Sequence, residues 1–87
     1  MPRFYLDIEY GDGTRCQDLD GAVFFDAEAA KAEARKSLQE LLAEAIIHDA
    51  DPAAKILVWD EYGRPVATIG SRDVLPARLL AELAHIS

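Results

Sequence analysis

The sequence predicts an α+β domain in which a long helix covers one face of an antiparallel β-sheet. Residues 4–10 alternate apolar and polar side chains, the pattern of a strand with one face turned to water. Residues 26–48 instead repeat apolar side chains at helical spacing, between two glycine-containing turns. A second pair of strand patterns follows. The predicted order is therefore ββαββ plus a short C-terminal helix.

The first hairpin consists of the strand at residues 4–10, a glycine turn at residues 11–13 and a return strand at residues 14–18. The glycines of the turn tolerate the positive φ angles that a tight hairpin needs. Because the return strand is polar throughout, we expect it at an edge of the sheet. Residues 22–25 are interpreted as the segment that leads into the helix.

The long helix should begin at Asp26, whose carboxylate suits an N-cap, and bury one stripe of side chains. That stripe is composed mainly of alanine and leucine: Ala27, Ala30, Ala34, Leu38, Leu41, Leu42 and Ala45. Ile46 and Ile47 lie off the stripe, and Ile47 is on nearly the opposite side. The helix would be roughly 33 Å long, against about 24 Å for a seven-residue strand. Its last turns are therefore expected to overhang the sheet.

Two more strands are predicted after the helix, at residues 56–59 and 65–69. The first is apolar on both faces and suits the centre of a sheet, whereas Pro65 favours an edge for the second. The connections then give the strand order 2-1-3-4, entirely antiparallel, in a four-stranded sheet. The short terminal helix is the expected cover for the sheet face opposite the long helix.

The chain is predicted to be a single domain, residues 1–87, with a core at residues 1–70 and a helical extension at residues 71–87. One side of the terminal helix is apolar and has no evident place in the core; it carries Leu79, Leu80, Leu83 and Ile86. Small domains often gain stability from a partner surface. We therefore expect a homodimer whose contact includes these four residues together with Ile46 and Ile47.

The net charge of −7 disfavours nucleic acid and anionic membranes as direct ligands. No stretch approaches the roughly 20 apolar residues of a membrane span, and no leader pattern is visible. The lone Cys16 fits a reducing compartment. The sequence thus predicts a cytoplasmic protein.

Several short motifs together resemble a family of small bacterial proteins of unknown function. They are Met1-Pro2-Arg3-Phe4-Tyr5, Gly11-Asp12, Asp18-Leu19-Asp20-Gly21, Asp26-Ala27-Glu28-Ala29-Ala30 with Glu33-Ala34, and Val58-Trp59-Asp60-Glu61-Tyr62-Gly63-Arg64-Pro65-Val66. The resemblance covers roughly residues 1–70 and leaves out the leucine-rich tail. It supports the fold and implies no activity.

A weaker similarity is to small antitoxins, which pair a sheet and a helix with a toxin partner. The segment from Asp18 to Gly21, followed by the helix start at Asp26, echoes their arrangement. Their usual DNA-binding appendage has no counterpart here. The similarity nevertheless suggests an alternative function, an antitoxin-like or regulatory partner of a basic protein.

Neither a metal site nor a cofactor site is predicted. Asp18-Leu19-Asp20-Gly21 is similar to the middle of a calcium loop, but Cys16 and Ala27 would occupy the first and twelfth ligand positions and supply no side-chain oxygen. Turn formation explains these residues better. His48, Asp49 and Asp51 are interpreted as helix-end and turn residues, and His85 as a solvated side chain.

No catalytic residue is predicted either, so the domain is not expected to be an enzyme, and a small enzyme is the third hypothesis. Cys16 lacks a neighbouring base and is interpreted as a half-buried filler. Asp7 and Glu9 share the strand face away from the helix, where carboxylates usually provide solubility. Tyr5 and Trp59 are expected on that same face, packed under the terminal helix or at a subunit contact.

Overall fold

A computed structural model of the chain describes residues 1–48 and 53–74. Its elements in chain order are β1 (Arg3–Tyr10), β2 (Arg15–Cys16), β3 (Ala22–Val23), α1 (Ala27–His48), β4 (Ala53–Asp60), β5 (Pro65–Gly70) and a 3-10 turn (Ser71–Asp73). The strand pairs are all antiparallel, and α1 packs against the sheet. The predicted α+β class is confirmed. The predicted C-terminal helix lies outside the described residues.

The sheet differs from the predicted one by an additional strand. Its path is β2-β1-β4-β5, and β3 also pairs with β1. The interpretation of residues 22–25 as a lead-in to the helix was therefore wrong at Ala22 and Val23. Strand β2 is also shorter than predicted and is paired with Ile8 and Glu9 of β1. This leaves the first half of β1 open, and β3 occupies it by pairing with Arg3 and Phe4.

The hydrophobic core lies between α1 and one face of the sheet. The helix contributes the predicted stripe, of which Ala30, Ala34, Leu38, Leu42 and Ala45 are buried. The sheet contributes Phe4, Ile56, Val58 and Ile69. Alanines occupy the first half of the stripe, so the helix can approach the sheet closely there, and the leucines fill the space farther along. The amphipathic pattern thus determines how α1 is placed.

The start of α1 is stabilised by the predicted cap. The Asp26 carboxylate accepts a hydrogen bond from the backbone N–H of Ala29 at 2.9 Å. Just before it, Phe24 turns inward and packs edge-on against Phe4, with ring centroids 6.1 Å apart. Phe25 remains 76% exposed. Within the described residues, no helix combines the length and the apolar character needed to cross a lipid bilayer.

Candidate functional site

The sheet face opposite α1, called here the open face, carries an aromatic pair flanked by acidic side chains. Strands β1 and β4 are in register, so Tyr5 lies opposite Trp59 and Asp7 lies opposite Leu57. Side chains of directly opposed residues point to the same side of a sheet. The prediction that Tyr5 and Trp59 share this face is confirmed. Both are only partly buried.

The loop between β2 and β3 folds back on β1 through the carboxylate of Asp18. One oxygen, Oδ2, accepts a hydrogen bond from the backbone N–H of Leu6 at 3.1 Å. The other, Oδ1, accepts one from the backbone N–H of Gly21 at 3.0 Å. Asp18 therefore takes the place of a strand carbonyl in the gap between β2 and β3. The sequence predicted a turn here but gave no sign of this bond to β1.

Asp7 is buried by that loop, with only 6% of its surface exposed. Its Oδ1 accepts a hydrogen bond from the backbone N–H of Asp18 at 2.9 Å. The interpretation of Asp7 as a water-facing, solubilising carboxylate was therefore wrong. Alternation placed it correctly on the face away from α1, but could not reveal that the loop covers that face locally.

A cleft of about 430 Å³ opens between this loop and the β4–β5 turn. Its walls include the Tyr5 and Trp59 rings, the side chain of Leu19 and the carboxylates of Asp7 and Glu61. The indole Nε1 of Trp59 is fully buried and has no hydrogen-bond partner among residues 1–48 and 53–74. A buried polar group in this state costs free energy, on the order of 1–3 kcal/mol. The cleft therefore combines aromatic walls, negative charge and an unused donor.

One rim of the cleft is the β4–β5 turn, which is organised by Asp60. Its Oδ1 accepts hydrogen bonds from the backbone N–H groups of Tyr62 and Arg64, and its Oδ2 accepts one from the Arg64 guanidinium at 2.8 Å. Burial alone would raise the pKa of Asp60. The hydrogen bonds from Arg64 and Tyr62 outweigh it and hold that pKa below its ordinary value of 3.8.

Asp60→Asn should lower the free energy of unfolding at neutral pH, because the charged acceptor of three hydrogen bonds is lost. A carboxylate whose pKa is lower in the folded than in the unfolded state stabilises the fold at pH values above its pKa in the unfolded state. That stabilisation is lost as the pH falls through the pKa of the carboxylate in the folded state. The difference in the free energy of unfolding between wild type and variant should therefore shrink as the pH falls below 3.8. Urea unfolding across that pH range measures it.

The matched control is Glu61→Gln, which removes the same charge from the adjacent, exposed position. This variant should unfold as the wild type does at every pH. A gap between wild type and Asp60→Asn that stays constant with pH would contradict the assignment.

The remaining candidates on β1 and β2 are ordinary surface groups. Glu9 lies 3.6 Å from the Arg15 guanidinium and 3.7 Å from the Lys55 ammonium, and exposed pairs of this kind contribute little to stability. Cys16 is exposed and free, so its interpretation as a half-buried filler was wrong. The polar edge strand leaves it in water rather than under the helix.

In the segment Asp18–Gly21, whose sequence is similar to the middle of a calcium loop, both oxygens of Asp18 accept backbone hydrogen bonds. Across residues 1–48 and 53–74, no three His, Cys, Asp or Glu side chains come together in a group that could hold a metal ion. The described part of the structure does not include the side chain of His48, nor Asp49, Asp51 and His85.

Of the six predicted contact residues, the structure describes the side chain of one. Ile47 is 75% exposed near the end of α1. The side chain of Ile46 is not described, and Leu79, Leu80, Leu83 and Ile86 lie beyond the described part of the chain. A groove of about 630 Å³ is lined by Ile8 and by residues of α1 that include Glu40, Leu41 and Glu44. Ile47 follows Glu40 by two helical turns and so lies on the same side of α1.

Comparison with known proteins identifies one family. The family described as a domain of unknown function (DUF6894) matches residues 3–70. The expected resemblance to a small unknown-function family is thereby confirmed. No curated protein and no solved structure gives a significant match to the chain.

Proposed function

The chain belongs to this domain-of-unknown-function family, DUF6894, and on that premise we propose that it is a protein–protein interaction module that forms a homodimer and has no catalytic activity. The observation that carries the proposal is the 75% exposure of Ile47, on the same side of α1 as a groove lined in part by Ile8 and Leu41. A large exposed apolar side chain on the side of α1 that carries a partly apolar groove favours contact with another protein surface. The leucine-rich tail, which the sequence predicts to form a helix with one apolar side, is the proposed counterpart on a second copy.

The homodimer is tested by light scattering at concentrations of tens of micromolar. We expect the mass of a dimer for the wild type. Leu79→Glu combined with Leu83→Glu should shift the protein toward the monomer, and Ile47→Glu should do the same, because a charge in an apolar contact loses its hydration. Phe25→Glu is the matched control, since Phe25 is 76% exposed at the other end of α1. A clean wild-type monomer would refute the proposal.

A second candidate function is a regulatory or antitoxin-like partner for a basic protein. The observation that favours it is the acidic cleft on the open face, in a chain of net charge −7. Complementary charge speeds association and selects partners. The cytoplasm is the proposed compartment for either function, in keeping with an exposed, free Cys16.

A further inference from the structure

We propose that the cleft on the open face binds an arginine side chain presented by a basic partner protein. This inference rests on the second candidate function and names the group that the partner supplies. The lining contains the carboxylates of Asp7, Asp18, Asp60 and Glu61 against the single guanidinium of Arg15. A cation is therefore the charge that the cleft favours.

The recognising carboxylates follow from the hydrogen bonds that are already made. Asp18 accepts two backbone hydrogen bonds, and Asp60 is occupied by Arg64 and the turn. Asp7 uses Oδ1 for Asp18, whereas its Oδ2 accepts no hydrogen bond from the described residues. Because Asp7 is 94% shielded from solvent, a charged donor at Oδ2 interacts more strongly than it would in water. Glu61 is exposed at the rim and adds a second negative charge.

The aromatic walls select a planar cation over a compact one. A guanidinium stacks on aromatic rings and donates several hydrogen bonds at once, which an ammonium does less well. The protein shows this pairing elsewhere, since the guanidinium carbon of Arg64 lies 5.1 Å from the centroid of the Tyr62 ring. In the cleft, the aromatic residues of the lining are Tyr5 and Trp59.

The unpartnered indole N–H of Trp59 supports a peptide as the carrier of that arginine. A donor buried without an acceptor gains free energy when an acceptor arrives. The main-chain carbonyl of an arginine-bearing segment provides one. Leu19, which is 79% exposed and lines the same cleft, adds an apolar surface for such a segment.

The test uses intrinsic fluorescence, since Trp59 is the one tryptophan of the chain and stands in the wall of the cleft. The probe is the capped tripeptide Gly-Arg-Gly, titrated into the full-length protein at low salt. We expect a saturable change in emission that weakens as salt is added. The matched peptide Gly-citrulline-Gly keeps the planar shape without the charge and should bind at least about tenfold more weakly.

Substitutions in the protein test whether the arginine peptide binds in the cleft. Asp7→Asn keeps an oxygen to accept the Asp18 N–H and should weaken the arginine peptide about tenfold. Glu33→Gln removes the same charge from an exposed position on α1 and should change affinity less than about twofold. Should Asp7→Asn fail to fold, Glu61→Gln at the rim replaces it and should weaken binding measurably.

Equal binding of the arginine and citrulline peptides would overturn the inference, as would equal losses in the cleft variant and Glu33→Gln. So would the absence of a saturable signal. The second candidate function is measured separately, by whether the immobilised protein retains a basic protein that high salt releases. Retention without peptide binding leaves the basic-partner function in place and removes only the arginine cleft.

Discussion

Replacing Gly21 by alanine is expected to lower the free energy of unfolding by about 3 kcal/mol or more. Gly21 has a φ of +67°, a backbone conformation that residues other than glycine rarely adopt. A Cβ at this position would lie 2.7 Å from the carbonyl oxygen of Phe4 and 2.9 Å from the Tyr5 ring. The loop cannot retreat without losing the hydrogen bond between the Gly21 N–H and Asp18.

The control is Gly13→Ala. Gly13 also has a positive φ, +91°, but a Cβ there meets nothing within 4 Å. It therefore carries only the conformational cost, about 1–2 kcal/mol. Urea unfolding followed by circular dichroism compares the two variants. Equal losses in the free energy of unfolding would show that close contact of the new Cβ with Phe4 and Tyr5 does not affect stability.

Truncating Leu38 to alanine is expected to lower the free energy of unfolding by about 2–5 kcal/mol. Leu38 is completely buried, at the middle of the α1 stripe, within the cluster that contains Ile56 and Val58. The neighbouring side chains come from a helix and a sheet whose backbones are fixed by their own hydrogen bonds. They can fill only part of the cavity, so the truncation costs contacts as well as buried area.

The same change at an exposed leucine provides the comparison. Leu19 is 79% exposed, and Leu19→Ala should alter the free energy of unfolding by less than about 0.5 kcal/mol. Thermal and urea unfolding both measure the difference. A Leu38→Ala variant as stable as Leu19→Ala would mean that the core does not lie between α1 and the sheet.

A long periodic segment is predictable from sequence because its own spacing determines which side chains are buried. The stripe from Ala30 to Ala45 and the cap at Asp26 follow from spacing and residue type alone. Strand β3 has only two residues, too few to show alternation, and it forms because β2 leaves half of β1 unpaired. Such a strand depends on tertiary structure and has no signal in its own sequence.

The candidate site was predictable only in part for the same reason. Alternation put Tyr5, Asp7 and Trp59 on one face, and the structure agrees. The cleft itself requires the loop that carries Asp18 and the turn that carries Asp60 to rise on either side of that face. Local periodicity does not encode the position of either the loop or the turn. All six contact residues, Ile46, Ile47, Leu79, Leu80, Leu83 and Ile86, remain predictions.

The carboxylate of Asp18 has a consequence for edge-to-edge pairing of the sheet with another chain. By closing the gap between two strands of only two residues each, it leaves no continuous row of free backbone groups along that margin of β1. A neighbouring chain therefore finds no template there for adding a strand. The outer margin of β5 is the longer alternative, and it begins with Pro65, which lacks the N–H that an incoming strand would need.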